Sequence, residues 1–328
     1  MNIHSLLWLV LLSVFFISVI GISWLLPYLT KKKLGQSILE IGPKWHKTKE
    51  GTPTMGGLAP ALAICGVGFL LLLLPYTFTQ KEKVGVALTL LYGLSCASIG
   101  FIDDLTKFRK HQNAGLTPKQ KLVLQFAFCG AYLALLHIFG FIDTNVMIPF
   151  LPRVWHLGWC FYPLALLFAV GSMNFVNLTD GIDGLASSVC VIVAGFFVFC
   201  ATKLQQMGLL SIAAAMLAGA FAFLLFNYHP ARIFMGDTGS LFFGGLSVGC
   251  AFLCGMPLLL LTVGIVFYLE GRSVTLQVLY YKISGGKRLF KMAPLHHHLE
   301  KSGWTEEKIV FVFTLISLFG AVLGAFAL

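Results

Sequence analysis

"GFIDDLTKFRK", residues 100–110, closes an apolar run that begins near residue 84 and ends it in two adjacent aspartates followed by three basic residues. One helical crossing of a hydrocarbon core takes roughly 20 apolar residues, so this run reads as a membrane span with charge at its rim. The same pattern recurs outward in both directions. Ten segments qualify, at about 4–28, 55–75, 84–103, 120–141, 157–178, 185–202, 207–227, 240–256, 257–281 and 308–327. The eighth and ninth are parted only by Gly255, Met256 and Pro257. Composition agrees: 58% of the 328 residues are hydrophobic and 11% charged, whereas soluble domains carry charge on about a quarter of their residues. The expectation is an all-α polytopic membrane protein of about ten helices, forming one integral domain over residues 1–328.

Orientation follows from charge. The first segment has no Lys or Arg before it and Lys31, Lys32 and Lys33 after it, the reverse of a cleaved leader. It is expected to stay attached with the N terminus outside, and ten crossings return the C terminus outside as well. Nineteen of the 23 Lys and Arg then fall in inner loops, including Lys44, Lys47, Lys49, Lys107, Lys110 and Lys121, and only Lys81, Lys83, Arg153 and Lys203 lie outside. That asymmetry is the positive-inside pattern. The net charge of +10 is therefore a topology signal, with no nucleic-acid partner implied. The eight cysteines lie in apolar runs without zinc-type spacing and read as packing residues.

The acids are more lopsided still, since only Glu82 and Asp143 fall outside. Five of the inner ones are aspartates at helix ends: Asp103, Asp104, Asp180, Asp183 and Asp237. Facing lipid, five carboxylates would cost on the order of 12 kcal/mol even on a lenient insertion scale. They are expected to line a wet cleft.

In "NLTDGIDG", residues 177–184, Asn177, Asp180 and Asp183 recur every third residue, which would put them on one face of a first turn of the sixth helix. Gly181 and Gly184 clear space beside them. Helix capping is the plainer reading of any one of these acids; two acids and an asparagine in register favour a binding surface. "FNYHPARIFMGDTGS", residues 226–240, stops the seventh helix at Pro230 and reads as a tight turn at Gly236 to Gly239 carrying Asp237. In "APLHHHLE", residues 293–300, three consecutive histidines point about 100° apart on a helix and do not converge on one metal. Donors to phosphate or sugar oxygens, or a solvated polar loop, are the remaining readings. Glu270 and Arg272 interrupt the ninth segment and predict a bend or an exit from the membrane core there.

Clustered carboxylates near lysines suit Mg²⁺ and a phosphorylated substrate, because this hard cation takes one or two carboxylates and completes its shell with water and phosphate oxygens. Neither nucleotide-cradling glycine loop is present, so diphosphate binding would rest on metal together with Lys107 and Lys121. A water-soluble partner from the cytosol and a lipid phosphate can meet at this rim, which fits a phosphosugar transfer.

The set "KTKEGTPTMGG" (47–57), "FIDDLTK" (101–107), "NLTDGIDG" (177–184), "FNYHPARIFMGDTGS" (226–240), "LEGRSVTLQV" (269–278) and "PLHHHLE" (294–300) resembles the bacterial phospho-N-acetylmuramoyl-pentapeptide-transferase family, within the polyprenyl-phosphate N-acetylhexosamine-1-phosphate transferase superfamily. The resemblance spans almost the whole chain. It implies transfer of phospho-MurNAc-pentapeptide from UDP-MurNAc-pentapeptide to undecaprenyl phosphate, giving lipid I and UMP with Mg²⁺, at the cytoplasmic face of the bacterial plasma membrane. This is the first membrane step of peptidoglycan synthesis.

Carried over by position, the resemblance implies Asp237 as the magnesium ligand and Asp103 and Asp104 as the essential acidic pair. Lys49, Thr54, Asn177, Asp180, Asp183, Asn227, Phe234 and Gln277 match positions lining the nucleotide-sugar site, with Phe234 as the base-stacking ring. His296, His297 and His298 match a loop that closes over substrate. A ninth helix broken beside the lipid groove and a homodimer are also implied. His111 departs from some relatives and receives no role. Asp103 would take a proton from the lipid phosphate or hold that phosphate for attack, and a covalent two-step route stands beside direct transfer. Two rival functions share some of these features: a sister transferase using UDP-GlcNAc, and a cation or proton transporter. The histidine loop speaks against the first; against the second stand the crowding of acids at one rim and the absence of a visible repeat.

Overall fold

The computed structural model describes residues 2–32, 49, 51–75, 77–109, 115–151 and 153–328. Lys33, Lys44, Lys47, Lys110 and His111 lie outside the described residues. Among the described residues, twelve α-helices and one short hairpin follow in order: α1 Ile3–Lys31, α2 Leu58–Leu72, α3 Gln80–Arg109, α4 Pro118–Ile138, β1 Asn145–Met147, β2 Val154–His156, α5 Phe161–Thr179, α6 Leu185–Lys203, α7 Met207–Asn227, α8 Gly236–Leu253, α9 Leu259–Val263, α10 Ile265–Ile283, α11 Leu295–Glu300 and α12 Glu306–Ala325. The chain is an all-α polytopic membrane protein. Each of the ten apolar segments is helical, the ninth as α9 plus α10. Among the described residues, α1, α3, α4, α5, α6, α7 and α12 are long and apolar enough to cross a membrane, and α2 is a shorter apolar helix.

Helix ends form where local chemistry directs. At α4, Thr117 and Gln120 make a reciprocal capping box ahead of Pro118, satisfying amide donors that the first turn leaves free. Thr305 caps α12 through the Lys308 amide. The hairpin pairs Val146 with Trp155 in antiparallel register. In α1, Trp8, Leu12, Phe16, Ile20 and Trp24 form an exposed stripe at four-residue spacing, opposite the buried Leu6, Val10, Val14 and Ile22. Such a stripe suits acyl chains or an apolar partner surface rather than water.

Helix α8 is the pivot, buried along nearly its whole length and packed against α3 and α5. A methyl group on Gly100 of α3 would overlap the Asp237 carbonyl, so glycine there lets the inner ends of α3 and α8 touch. Polar bridges tie neighbouring helices: Gln125 of α4 exchanges hydrogen bonds with Asn174 of α5 at 3.2 and 2.7 Å. All eight cysteines are free thiols, and only Cys160 is exposed, which corrects its reading as a packing residue.

Two expectations shift. The ninth segment bends at Gly264, between α9 and α10, and not at Glu270 or Arg272. The turn expected at Gly236 to Gly239 is instead the first turn of α8.

Candidate functional site

Helix α8 begins at the inner end of α3, and that junction gathers the aspartates. Asp104 accepts from the Thr238 amide at 2.9 Å, the Thr238 hydroxyl at 2.7 Å and the Asp237 amide at 3.2 Å. A carboxylate is thus the cap of α8 from outside its own sequence, placed where the helix dipole is positive. Asp237, one residue into α8, points the other way. Its Oδ1 accepts from Asn177 Nδ2 at 2.8 Å, and its Oδ2 lies 2.9 Å from both Lys107 Nζ and Lys121 Nζ. Asp103 closes the group: its Oδ2 is 2.7 Å from Lys107 Nζ, one helical turn on, and its Oδ1 accepts from the Leu116 amide at 2.8 Å.

Oxygens of Asp103, Asp104 and Asp237 lie within 4.8 Å of one another. Hard carboxylate donors this close fit Mg²⁺. Asp104 has both oxygens held by the first turn of α8, whereas Asp237 and Asp103 each have an oxygen held by lysine ammonium groups that can move, so they are the pair that could turn to a cation. Lys107 is 37% exposed and, like Lys121, is long enough to move from carboxylate to phosphate oxygens.

A second carboxylate group, Asp183, His229 and Glu306, is as compact, yet its cation is built in. Lys49 Nζ sits 2.6 Å from Asp183 Oδ1 and 2.6 Å from Glu306 Oε2, with both acids nearly buried. His229 Nδ1 and the Ala231 amide each lie 3.0 Å from the other Asp183 oxygen. Glu306 also accepts from the Asp183 amide at 3.1 Å.

Asn177, Asp180 and Asp183 therefore do not share a face of the sixth helix. Asn177 is in the last turn of α5, Asp180 is its C-cap, and Asp183 precedes Gly184, whose φ of +79° ends the turn before α6. The three-residue spacing straddles two elements, so Asn177 turns to Asp237 while Asp183 turns to Lys49. Asp180 lies in the field of both groups. Among the described residues it has no donor or cation. Burial first, then the negative charges of Asp237, Asp104 and Asp183, push its carboxyl well above the usual range.

Stability follows with a definite sign. A folded-state pKa above the unfolded one favours folding at pH below the ordinary carboxylate value and is lost as pH rises through the raised value. Asp180→Asn is thus expected to raise the thermal midpoint at pH 8 by a few degrees, a gain that fades toward pH 4, while lowering turnover. Unfolding in detergent at the two pH values checks it, and a lower midpoint at pH 8 would contradict it.

The other sequence-marked residues divide by how occupied they are. Asn227 is buried, accepting from the Gly184 amide and Ser187 hydroxyl and donating to the Ile233 carbonyl; its hydrogen bonds hold the loop after α7. Gln277 Oε1 accepts from the Leu289 and Phe290 amides at 3.2 and 2.8 Å and fastens the chain after α10. Thr54 and Phe234 are half-buried. They come together through backbone bonds from Phe234 N to Pro53 O and from Gly56 N to Phe234 O, both 2.8 Å.

The histidines separate as the helical spacing required. His296 is fully buried, with Nδ1 3.0 Å from Glu270 Oε2. His297 Nδ1 is 2.7 Å from Glu300, and His298 Nδ1 accepts from the Lys291 amide at 3.1 Å. Gly181 touches the His296 ring, where a side chain would overlap it.

Sequence reasoning missed Glu306 and His229 as partners of the Lys49–Asp183 pair. Glu306 carried a usable signal, an acid in the first turn of a helix beside the histidine loop. The pairing itself, across 257 residues, had none.

Residues 86–255 match the family model described as Glycosyl transferase family 4, and residues 49–59 match phospho-N-acetylmuramoyl-pentapeptide-transferase signature 1. Relatives bearing the name phospho-N-acetylmuramoyl-pentapeptide-transferase include one from Bacillus subtilis (strain 168), 42% identical over 313 residues that cover 95% of this chain and 94% of the relative. One from Listeria monocytogenes serotype 4b (strain F2365) is 42% identical, covering 94% of both chains. Another from Carboxydothermus hydrogenoformans is 41% identical, covering 97% of both.

Proposed function

This chain belongs to the phospho-N-acetylmuramoyl-pentapeptide-transferase family, and from that premise we propose that it transfers phospho-MurNAc-pentapeptide from UDP-MurNAc-pentapeptide to undecaprenyl phosphate, releasing UMP and leaving lipid I. One observation carries the reading: Asp237, on the first turn of α8, is held by Lys107, Lys121 and Asn177 within reach of Asp103, at the charged end of a membrane-length helix. That is a site for a diphosphate meeting a lipid phosphate.

The new bond forms from a lipid phosphate oxygen to the phosphorus that carries the sugar; the bond from that phosphorus to the oxygen shared with UMP breaks. Lys107 and Lys121 turn from Asp237 to the diphosphate oxygens and meet the charge that grows on the leaving phosphate. Asp237, with Asp103, would hold Mg²⁺, which when bound would supply further positive charge to the transfer. Asp103 also orients the lipid phosphate and takes any proton it retains. Its share is small, because a phosphate monoester's second pKa is about 6. Asp104 positions α8. Phe234 stacks on the uracil ring, a contact worth about 1–3 kcal/mol. Lys49, Thr54, Asn177, Asp180, Gly181, Asp183 and His296, His297 and His298 surround the nucleotide sugar, and Asn227 and Gln277 brace the loops behind it. Ten crossings with both termini outside the cytoplasm put this rim at the inner leaflet, in a homodimer.

The test is UMP release by the full chain with undecaprenyl phosphate, UDP-MurNAc-pentapeptide and Mg²⁺. Release is expected, is expected to stop on chelation, and is not expected with UDP-GlcNAc. Turnover of UDP-GlcNAc in place of the muramyl substrate would overturn the assignment.

A further inference from the structure

Glu270 is a fully buried acid on α10, in a segment that is otherwise largely apolar. A lone carboxylate at membrane depth costs about 2.5–3.5 kcal/mol on insertion scales, so its partner identifies its task. That partner is His296 on α11. Glu270 Oε1 accepts from the His296 amide at 3.1 Å, and Oε2 lies 3.0 Å from His296 Nδ1 and 3.4 Å from the same amide. A carboxylate can only accept, so the imidazole must carry a proton on Nδ1. In the neutral ring the other nitrogen, Nε2, is then the bare acceptor. His296 Nε2 is buried and has no hydrogen-bond partner. It abuts Gly181, the residue after the unpartnered Asp180, and a side chain at Gly181 would occupy its place.

A buried polar atom left without a partner costs about 1–3 kcal/mol. Here the fold retains one at the point where α11 meets the Asp180–Gly181 loop. We propose that Glu270 is a positioning residue: it holds the His296 proton on Nδ1 and presents Nε2 as a hydrogen-bond acceptor to a hydroxyl or N–H of the nucleotide sugar, which enters between α11 and that loop. The inference rests on the transfer reaction above. It separates His296 from the cationic donors of the site, because Lys107 and Lys121 serve phosphate oxygens while His296 serves a donor group of the sugar or base.

Glu270→Gln tests this at nearly constant shape. An amide in place of the carboxylate sets an N–H against either the His296 amide or Nδ1, so the fixed tautomer is lost. The kcat/KM for UDP-MurNAc-pentapeptide is expected to fall about tenfold or more, with KM for undecaprenyl phosphate unchanged. The double variant Glu270→Gln/His296→Ala is expected to be no worse than His296→Ala alone, as residues acting as one unit behave. Wild-type kinetics in Glu270→Gln, or losses that multiply in the double variant, would overturn the proposal while leaving the transfer reaction intact if the unaltered enzyme releases UMP. A second measurement needs neither turnover nor a folded variant. In the ¹⁵N-histidine spectrum of the full chain, the His296 signals are expected to show a protonated Nδ1 and a bare Nε2, and a proton on Nε2 would overturn it.

Discussion

Asp237→Ala is expected to reduce UMP release by about three orders of magnitude, the scale seen when one preorganised electrostatic group is removed from a transfer site. Protein yield and thermal midpoint should change little. The argument lies in what Asp237 touches. Its Oδ2 holds two ammonium groups at 2.9 Å, and its Oδ1 fixes the Asn177 amide at 2.8 Å. Without it Lys107 collapses onto Asp103, already 2.7 Å away, and Lys121 swings to water, so neither waits where the diphosphate arrives. Stability is spared because no buried donor is stranded: Asn177 keeps Ser240 as a partner at 2.8 Å. Asp237→Asn separates charge from shape. It can still accept from Asn177 but cannot hold two cations or a metal, so it should be nearly as inactive as the alanine variant. Turnover within tenfold of wild type in either variant would end the role given to Asp237.

How much of this was legible in the chain depends on whether position or partnership is asked. Helical segments were legible because apolar length is local and cumulative. Asp103, Asp104 and Asp237 were legible as a set for the same reason, as acids that no lipid-facing helix end tolerates. Their division of labour was not. Adjacent on α3, Asp103 faces Lys107 and Asp104 faces the α8 amides, and which residue faces which neighbour depends on how two helices cross.

The spacing of Asn177, Asp180 and Asp183 misled for a related reason. A three-residue period signifies a shared face only inside one helix, and α5 stops at Thr179. Glu270 stands out in the chain as an anomaly that predicts a bend or an exit from the membrane core. The chain bends at Gly264 instead, since a buried acid with a histidine partner can remain within a straight helix. The gathering of Asp103, Asp104 and Asp237 was thus readable from the chain, whereas the ion pairs of Lys49 with Asp183 and Glu306 needed the fold.

Asp104→Ala is expected to lower the thermal midpoint sharply as well as abolish activity, the opposite pairing of effects from Asp237→Ala. Asp104 is 6% exposed and accepts three hydrogen bonds from the first turn of α8. Alanine would strand the Thr238 amide and hydroxyl and the Asp237 amide beside a helix terminus with no other cap, since Met235 at the N-cap position contributes no side-chain bond. Each stranded buried donor costs about 1–3 kcal/mol, so a loss of about 3–5 kcal/mol is reasonable, a size reached only when a buried network breaks. Asp104→Asn should fall between, because one oxygen still accepts while its amide N–H opposes a backbone N–H. Activity should track stability in this series, since α8 carries Asp237 and any slip of its first turn moves the carboxylate off Lys107 and Lys121. The decisive comparison is at low temperature, where Asp104→Asn remains folded. Partial turnover recovered there supports a residue that acts by holding α8, whereas a well-folded Asp104→Asn with no turnover would give Asp104 a direct part in the transfer.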